Sequence, residues 1–121
     1  MENKIHSYKD LIVWQRAMEL VIEVYSLTEK FPHTEIYGLT SQMRRAAVSI
    51  PSNIAEGRRK GSKKEFHQFL TVAYGSSNEL ETQIEISKRL PFGKNLDYVK
   101  IDTLLVEVRK MLNKLLFELN S

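Results

Sequence analysis

The segment "RRAAVSIPSNIAEGRRKGSKKEF", residues 44–66, carries the signals that decide the fold. It continues an apolar stripe whose members are spaced alternately by four and three positions, as on one face of an α-helix: Leu39, Met43, Ala46, Ile50 and Ile54. Gly57 suits the left-handed conformation that ends many helices, and Ser62 followed by Glu65 forms a capping box that begins the next. The segment predicts one helix over about residues 36–57 and another over about 62–89.

Pro51 interrupts the first of these helices, because proline has no N–H to donate to the carbonyl of Ala47. Two interpretations are open. The helix either continues through a kink, with Ser49, Ser52 or Asn53 close enough to satisfy the freed backbone groups, or stops near Ile50 and restarts with proline in its first turn. The apolar stripe stays in phase across Pro51, which favours the continuous, kinked helix.

The same periodicity extends outward in both directions and predicts further helices over about residues 10–30 and 96–119. In chain order, the first of the four predicted helices, residues 10–30, carries an apolar face made of Leu11, Trp14, Met18, Val21, Tyr25 and Thr28. The third predicted helix, residues 62–89, carries a heptad-like seam made of Phe66, Leu70, Ala73, Ser77, Leu80, Ile84 and Ser87. Three short connections join four helices of similar length, so we expect an all-α, antiparallel up-down-up-down four-helix bundle that forms a single domain over residues 1–121.

Composition excludes several classes of function. No apolar run approaches the roughly 20 residues of a membrane helix, and the chain has no cysteine and no segment typical of a secretory signal, so we expect a cytoplasmic protein with no membrane partner. The residues three positions before His6, His33 and His67 are Asn3, Lys30 and Lys64, so the Glu-x-x-His pairs of di-metal bundles are missing. With no phosphate loop or HExxH motif either, we expect no metal, no cofactor and no enzymatic activity.

Positive charge is concentrated in one part of the chain. Residues 44–64 contain seven basic side chains and one acid, a net charge of +6, which leaves −3 for the remainder. The candidate contacts to nucleic acid are Arg44, Arg45, Arg58, Arg59, Lys60, Lys63 and Lys64. They predict binding to the phosphates of RNA or DNA without reading of sequence. The alternative is a scaffold whose basic end docks an acidic partner such as a nucleic-acid enzyme, and the helix dipole by itself also favours cations at a helix C-terminus.

The predicted second helix also has apolar surface beyond what one core requires. A nearly uncharged strip of small residues lies between Arg44 and Arg58: Ala47, Val48, Pro51 and Ala55. Small residues let a neighbouring helix approach closely, so this strip is a candidate interface for self-association.

Three longer stretches carry a family resemblance: "YKDLIVWQRAMELVIEVYSLTEKFP", "YGLTSQMRRAAVSIPSNIAEG" and "EFHQFLTVAYGSSNELETQIEIS". From about Tyr8 to Leu90 the chain resembles the 23S rRNA-intervening sequence proteins, a bacterial four-helix bundle family. That family is similar to the accessory variability determinant proteins of diversity-generating retroelements, which form pentameric rings and bind nucleic acid and a reverse transcriptase. The resemblance implies a pentamer and a nucleic-acid partner.

Overall fold

The computed structural model describes residues 7–120 and places them in four α-helices. The helices are α1 (Ile12–Thr28), α2 (Leu39–Lys60), α3 (Lys63–Arg89) and α4 (Val99–Leu119). Short 3-10 turns precede α1 and α2, and residues 7–120 contain no strand. The predicted all-α class is confirmed, and each observed helix begins and ends within three residues of its predicted bounds.

Contacts between helices define the antiparallel arrangement. Gly57 near the end of α2 faces Phe66 and Phe69 near the start of α3. Lys100 at the start of α4 pairs with Glu23 near the end of α1 at 3.2 Å. Each helix packs on two neighbours, in the cyclic order α1, α2, α3, α4, and α2 and α3 share the most extensive contact.

Four ion pairs join α4 to its neighbours within residues 7–120, and two of them shift a pKa. The Nζ of Lys88 donates to Asp102 at 2.8 Å, and this hydrogen bond raises the pKa of Lys88 although partial burial opposes the shift. The Nε of Arg16 in α1 donates to Glu107 in α4 at 3.0 Å, and this hydrogen bond raises the pKa of Arg16. These pairs lie on the surface, so they orient the helices more than they stabilise the fold.

The core is the one expected for α2 and α3. Every member of the α2 stripe is buried, and so are all members of the α3 seam except the half-buried Phe66. In α1 the prediction is right in part: Val21 and Thr28 are buried as expected, and Leu11 and Trp14 are half-buried, but the centre of the buried face is rotated from the expected one. Met18 and Tyr25 are exposed, and the buried face consists of Val13, Ala17, Leu20, Val21, Val24, Leu27 and Thr28. Trp14, Met18 and Tyr25 of the expected face instead border α2 at the surface.

The end of α2 also differs from the prediction. The helix continues three residues beyond Gly57 to Lys60, and Gly61, with a φ of +88°, is the left-handed residue that ends it. Gly57 is buried inside α2 because α3 packs against it: a Cβ built there would lie 2.7 Å from the Cβ of Phe69. Ser62 then caps α3 as expected, accepting a hydrogen bond from the N–H of Glu65 at 3.1 Å.

Pro51 lies within α2, so the helix continues through it as the in-phase stripe indicates. Ser49 and Asn53 form a polar cluster on the side of α2 that faces α3. The amide of Asn53 donates to the carbonyl of Ser49 at 2.8 Å and to its Oγ at 3.0 Å, and that Oγ contacts Ser76. This amide therefore supports Ser49 and not the carbonyl of Ala47, which Pro51 leaves without its helical donor.

None of the four helices combines the length and the apolar character that crossing a bilayer requires, within the range that the structure describes.

Candidate nucleic-acid interface

One end of the bundle carries five cationic side chains, because only Gly61 and Ser62 separate α2 from α3. The last turn of α2 contributes three of them and the first turn of α3 two: Arg58, Arg59, Lys60, Lys63 and Lys64. We call these five residues the basic end. Part of this arrangement corrects the sequence prediction, since the three α2 cations lie on a helix and not in a loop.

The residues of the basic end differ in how many contacts they make with the rest of the bundle. Lys63 and Lys64 are exposed, and no carboxylate within residues 7–120 pairs with either. Lys60 lies 3.7 Å from Glu56 and its ammonium is 5.9 Å from the ring centre of Phe69. The two lysines of α3 are therefore the cations best placed to meet an anion from solvent.

An aromatic residue from the start of the chain supports Arg59. The guanidinium carbon lies 5.1 Å from the ring centre of Tyr8, and a guanidinium nitrogen is 3.5 Å from the Tyr8 hydroxyl. Arg58 beside it is half-buried and lines a cleft of about 200 Å³ with Gly57, Gly61, Ser62, Lys63 and Phe66. The α2 cations of the basic end therefore contact neighbouring side chains, although Arg59 and Lys60 are exposed.

Arg44 and Arg45 do not extend the basic end. Arg58 lies fourteen positions after Arg44 on the same helix, a distance of about 21 Å along the axis. The guanidinium of Arg44 lies 4.3 Å from the ring centre of Tyr25, and its Nε donates to Thr28 Oγ1 at 2.9 Å. Arg45 is exposed on the outer side of α2. The continuous patch expected along α2 is therefore wrong, and these two residues form a separate site.

An apolar groove runs between α1 and α2. It has a volume of about 280 Å³ and is lined by Tyr8, Trp14, Met18, Val21, Val48, Pro51, Ser52 and Ala55. Three members of the predicted self-association strip line it: Val48 is 39% exposed, Ala55 is half-buried and Pro51 is buried. The fourth, Ala47, has no exposed surface because it faces the core, which corrects its assignment to the outer strip.

A second cleft at the same end as the basic end was not foreseen. It lies between the start of α3 and the end of α4 and has a volume of about 450 Å³. Its lining is polar apart from one residue: Lys63, Lys64, His67, Gln68, Leu119 and Asn120. Periodicity could not reveal this cleft, because its two sides lie more than 50 residues apart in the sequence.

Within residues 7–120 no group of three histidine or carboxylate side chains is arranged to hold a metal ion.

The family model of the 23S rRNA-intervening sequence proteins matches residues 9–114. The chain belongs to this family. A crystal structure of a protein of unknown function from the S23 ribosomal protein family of Bacteroides thetaiotaomicron has the same fold, with a TM-score of 0.72 at 20% identity. The match covers 87% of this chain and 98% of that one. No curated protein sequence matches the chain.

In this 23S rRNA-intervening sequence protein, the segment "RRAAVSIPSNIAEG" contributes residues to two sides of α2, one that faces α3 and one that faces α1. Ser49, Asn53 and Gly57 contact or face α3, whereas Val48, Pro51 and Ala55 line the groove next to α1. The part of the resemblance with the most distinctive residues is therefore the part that sets how α2 meets its two neighbours.

Proposed function

We propose that this family member binds the backbone of RNA or DNA through its basic end, as an accessory protein that does not catalyse a reaction. The observation that supports this most is the position of Lys63 and Lys64: both are exposed, and neither pairs with a carboxylate of the described residues. Ammonium groups at such positions replace the condensed counterions of a phosphate chain, and this release drives binding without sequence preference.

The protein acts as a homo-oligomer in this proposal, and the family resemblance implies a pentamer. The groove between α1 and α2 supports self-association, since Val48 and Ala55 leave apolar surface there beside Trp14 and Met18. In a closed ring, every copy of the basic end faces the same side of the assembly. Contacts that are weak in one subunit then become multivalent.

The oligomer is tested by light scattering on the parent and on Val48→Glu. A carboxylate in the groove would be desolvated by a partner subunit, so we expect the variant to dissociate while its helical content stays unchanged. A parent protein that scatters as a 14.1 kDa monomer at micromolar concentration contradicts the assembly.

Binding to nucleic acid is tested with the double variant Lys63→Glu, Lys64→Glu. Acidic residues are favoured in the first turn of a helix, so this variant should keep α3 intact. We expect it to bind at least about tenfold more weakly near 0.1 M salt, and to reduce the slope of log affinity against log salt by about 0.7 to 0.9 for each phosphate that is no longer neutralised. The matched control is Lys30→Glu, Lys94→Glu, which changes the net charge equally at the opposite end.

The scaffold interpretation predicts a different result. If the parent binds neither RNA nor duplex DNA in a salt-dependent way, the basic end serves an acidic protein partner, such as a nucleic-acid enzyme. An equal weakening in the double variant and in its control would mean that only net charge matters.

A further inference from the structure

The unforeseen cleft between α3 and α4 combines two kinds of chemistry. Lys63 and Lys64 supply positive charge at its α3 side, and the half-buried His67 lies one helical turn further along α3. From α4 come Leu119 and Asn120. At about 450 Å³ the cleft falls in the size range of small-molecule sites, so it is large enough for a group of the size of a nucleobase.

An exposed aromatic side chain, which does not itself line the cleft, precedes the two α4-side lining residues in the sequence. Phe117 is 76% exposed and lies one turn before Asn120, the residue that caps α4, so the two lie on the same side of the helix end. Exposed apolar residues are common singly, and α4 has two others, Val99 at 73% and Val106 at 50%. Phe117 differs from them in its position, because it is the one at the end where Lys63 and Lys64 lie.

An aromatic ring near exposed lysines suits a nucleic acid whose bases are unpaired. In a duplex the bases are stacked on one another inside the helix, so only phosphates and groove edges reach a protein surface. In a single strand every base has a free π-face, which stacks on phenylalanine or histidine. Lysines with an aromatic platform are therefore the combination that single-strand binding uses.

We infer that the α3/α4 cleft binds single-stranded nucleic acid, with phosphates on Lys63 and Lys64 and an unpaired base stacked on Phe117 and His67. This inference rests on the proposed function and adds to it the class of strand. Residues 44–64 contain no aromatic side chain, so the basic segment by itself does not predict stacking. The fold supplies the aromatic residues from elsewhere in the chain.

The test measures binding of the full chain to fluorescent oligo-U, oligo-dT and a duplex, each of about 12 nucleotides or base pairs, by anisotropy at fixed salt. Phe117→Ala should bind both single strands about 5-fold to 150-fold more weakly than the parent, the range that the loss of one stacked base produces. Its affinity for duplex should not change. The matched control is Val99→Ala, which removes an equally exposed apolar side chain at the other end of α4.

His67→Ala, with His33→Ala as its control, tests the second aromatic partner in the same way. The parent has one tryptophan, Trp14, and Phe117→Trp adds a second. An oligonucleotide that stacks on the new indole should quench the tryptophan fluorescence of this variant more than that of the parent. This readout reports stacking directly and would not respond to a purely structural role of Phe117. Circular dichroism confirms that each variant is folded.

Each remaining outcome has one meaning. If Phe117→Ala binds single strands as tightly as the parent, the cleft does not stack bases, although the basic end still binds phosphates. If it weakens single strands and duplex equally, the effect is not stacking and the inference is wrong. If the parent binds no nucleic acid, both the inference and the proposed function fail.

Discussion

Gly57→Ala tests how closely α2 and α3 approach each other. A Cβ at residue 57 would lie 2.7 Å from the Cβ of Phe69 and 3.0 Å from the Cδ1 of Phe66, both shorter than van der Waals contact. The Cβ of Phe69 is bonded directly to the α3 backbone, so a change of rotamer cannot move it away. The two helices must therefore separate locally to admit one methyl group.

Two opposing effects set how much stability Gly57→Ala loses. Alanine gains about 1 kcal/mol over glycine inside a helix. Overpacking of a well-packed contact costs about 1 to 3 kcal/mol, and the rigid position of the Phe69 Cβ favours the upper part of that range. We expect a net destabilisation of about 1 to 2 kcal/mol, which corresponds to a fall in Tm of about 4 to 8 °C for a chain of this size.

Gly75→Ala is the matched control, because residue 75 lies in the middle of α3, is exposed and has no atom within 4 Å of a built Cβ. The helix preference of alanine is unopposed there, so we expect stabilisation by about 0.5 to 1 kcal/mol. Urea denaturation followed by circular dichroism measures both variants. If Gly57→Ala is stabilised as much as Gly75→Ala, the two helices do not make this contact and the reasoning is refuted.

Two further predictions concern the other end of the bundle. Tyr98→Phe removes a buried hydroxyl that donates to the carbonyl of Gly93 at 2.9 Å and bonds to Ser87, so urea unfolding should show a loss of about 1 to 3 kcal/mol; an unchanged midpoint would contradict this network. Asp102 raises the pKa of Lys88 above 10.5, so the pair stabilises the fold below that pH and the contribution is lost as pH rises through the folded pKa. Because both side chains are partly exposed, we expect at most about 1 kcal/mol, measured as a steeper fall in stability above about pH 10 for the parent than for Asp102→Asn; parallel curves would show that the pair contributes nothing.

The spacing of residues in the sequence was sufficient to predict the buried face of a helix wherever one apolar stripe dominates that helix. The stripe of α2, the seam of α3 and the Ser62 cap depend on residues within a few positions of one another, and all three are found as predicted. Gly57 and Gly61 could not be told apart in this way. A glycine serves either a left-handed turn or a close approach of another helix, and only the position of Phe69 shows that Gly57 serves the second purpose.

α1 was misjudged for a related reason. It has apolar residues over more than half of its circumference, so two different faces satisfy helical spacing. The face with Val13, Leu20 and Val24 is buried, while Met18 and Tyr25 remain at the surface beside α2. Tyr8 and Phe117 were missed for a third reason: only the fold brings Tyr8 into contact with Arg59 and places Phe117 at the same end of the bundle, and the two come from opposite ends of the chain.

The chemistry of α2 explains why the groove beside α1 stays open. On its α3 side the helix presents a hydroxyl and a glycine, Ser49 and Gly57, so α3 approaches closely and the Oγ atoms of Ser49 and Ser76 meet at 2.8 Å. On its α1 side Arg44 bonds across to Thr28, but along the groove beyond it the helix presents Val48, Pro51 and Ala55, whose side chains have no polar group that could bond across to α1. The two sides therefore differ in what they can hold. Close packing and hydrogen bonds fix α2 against α3, whereas the α1 side leaves an apolar surface whose burial would stabilise an assembly of subunits.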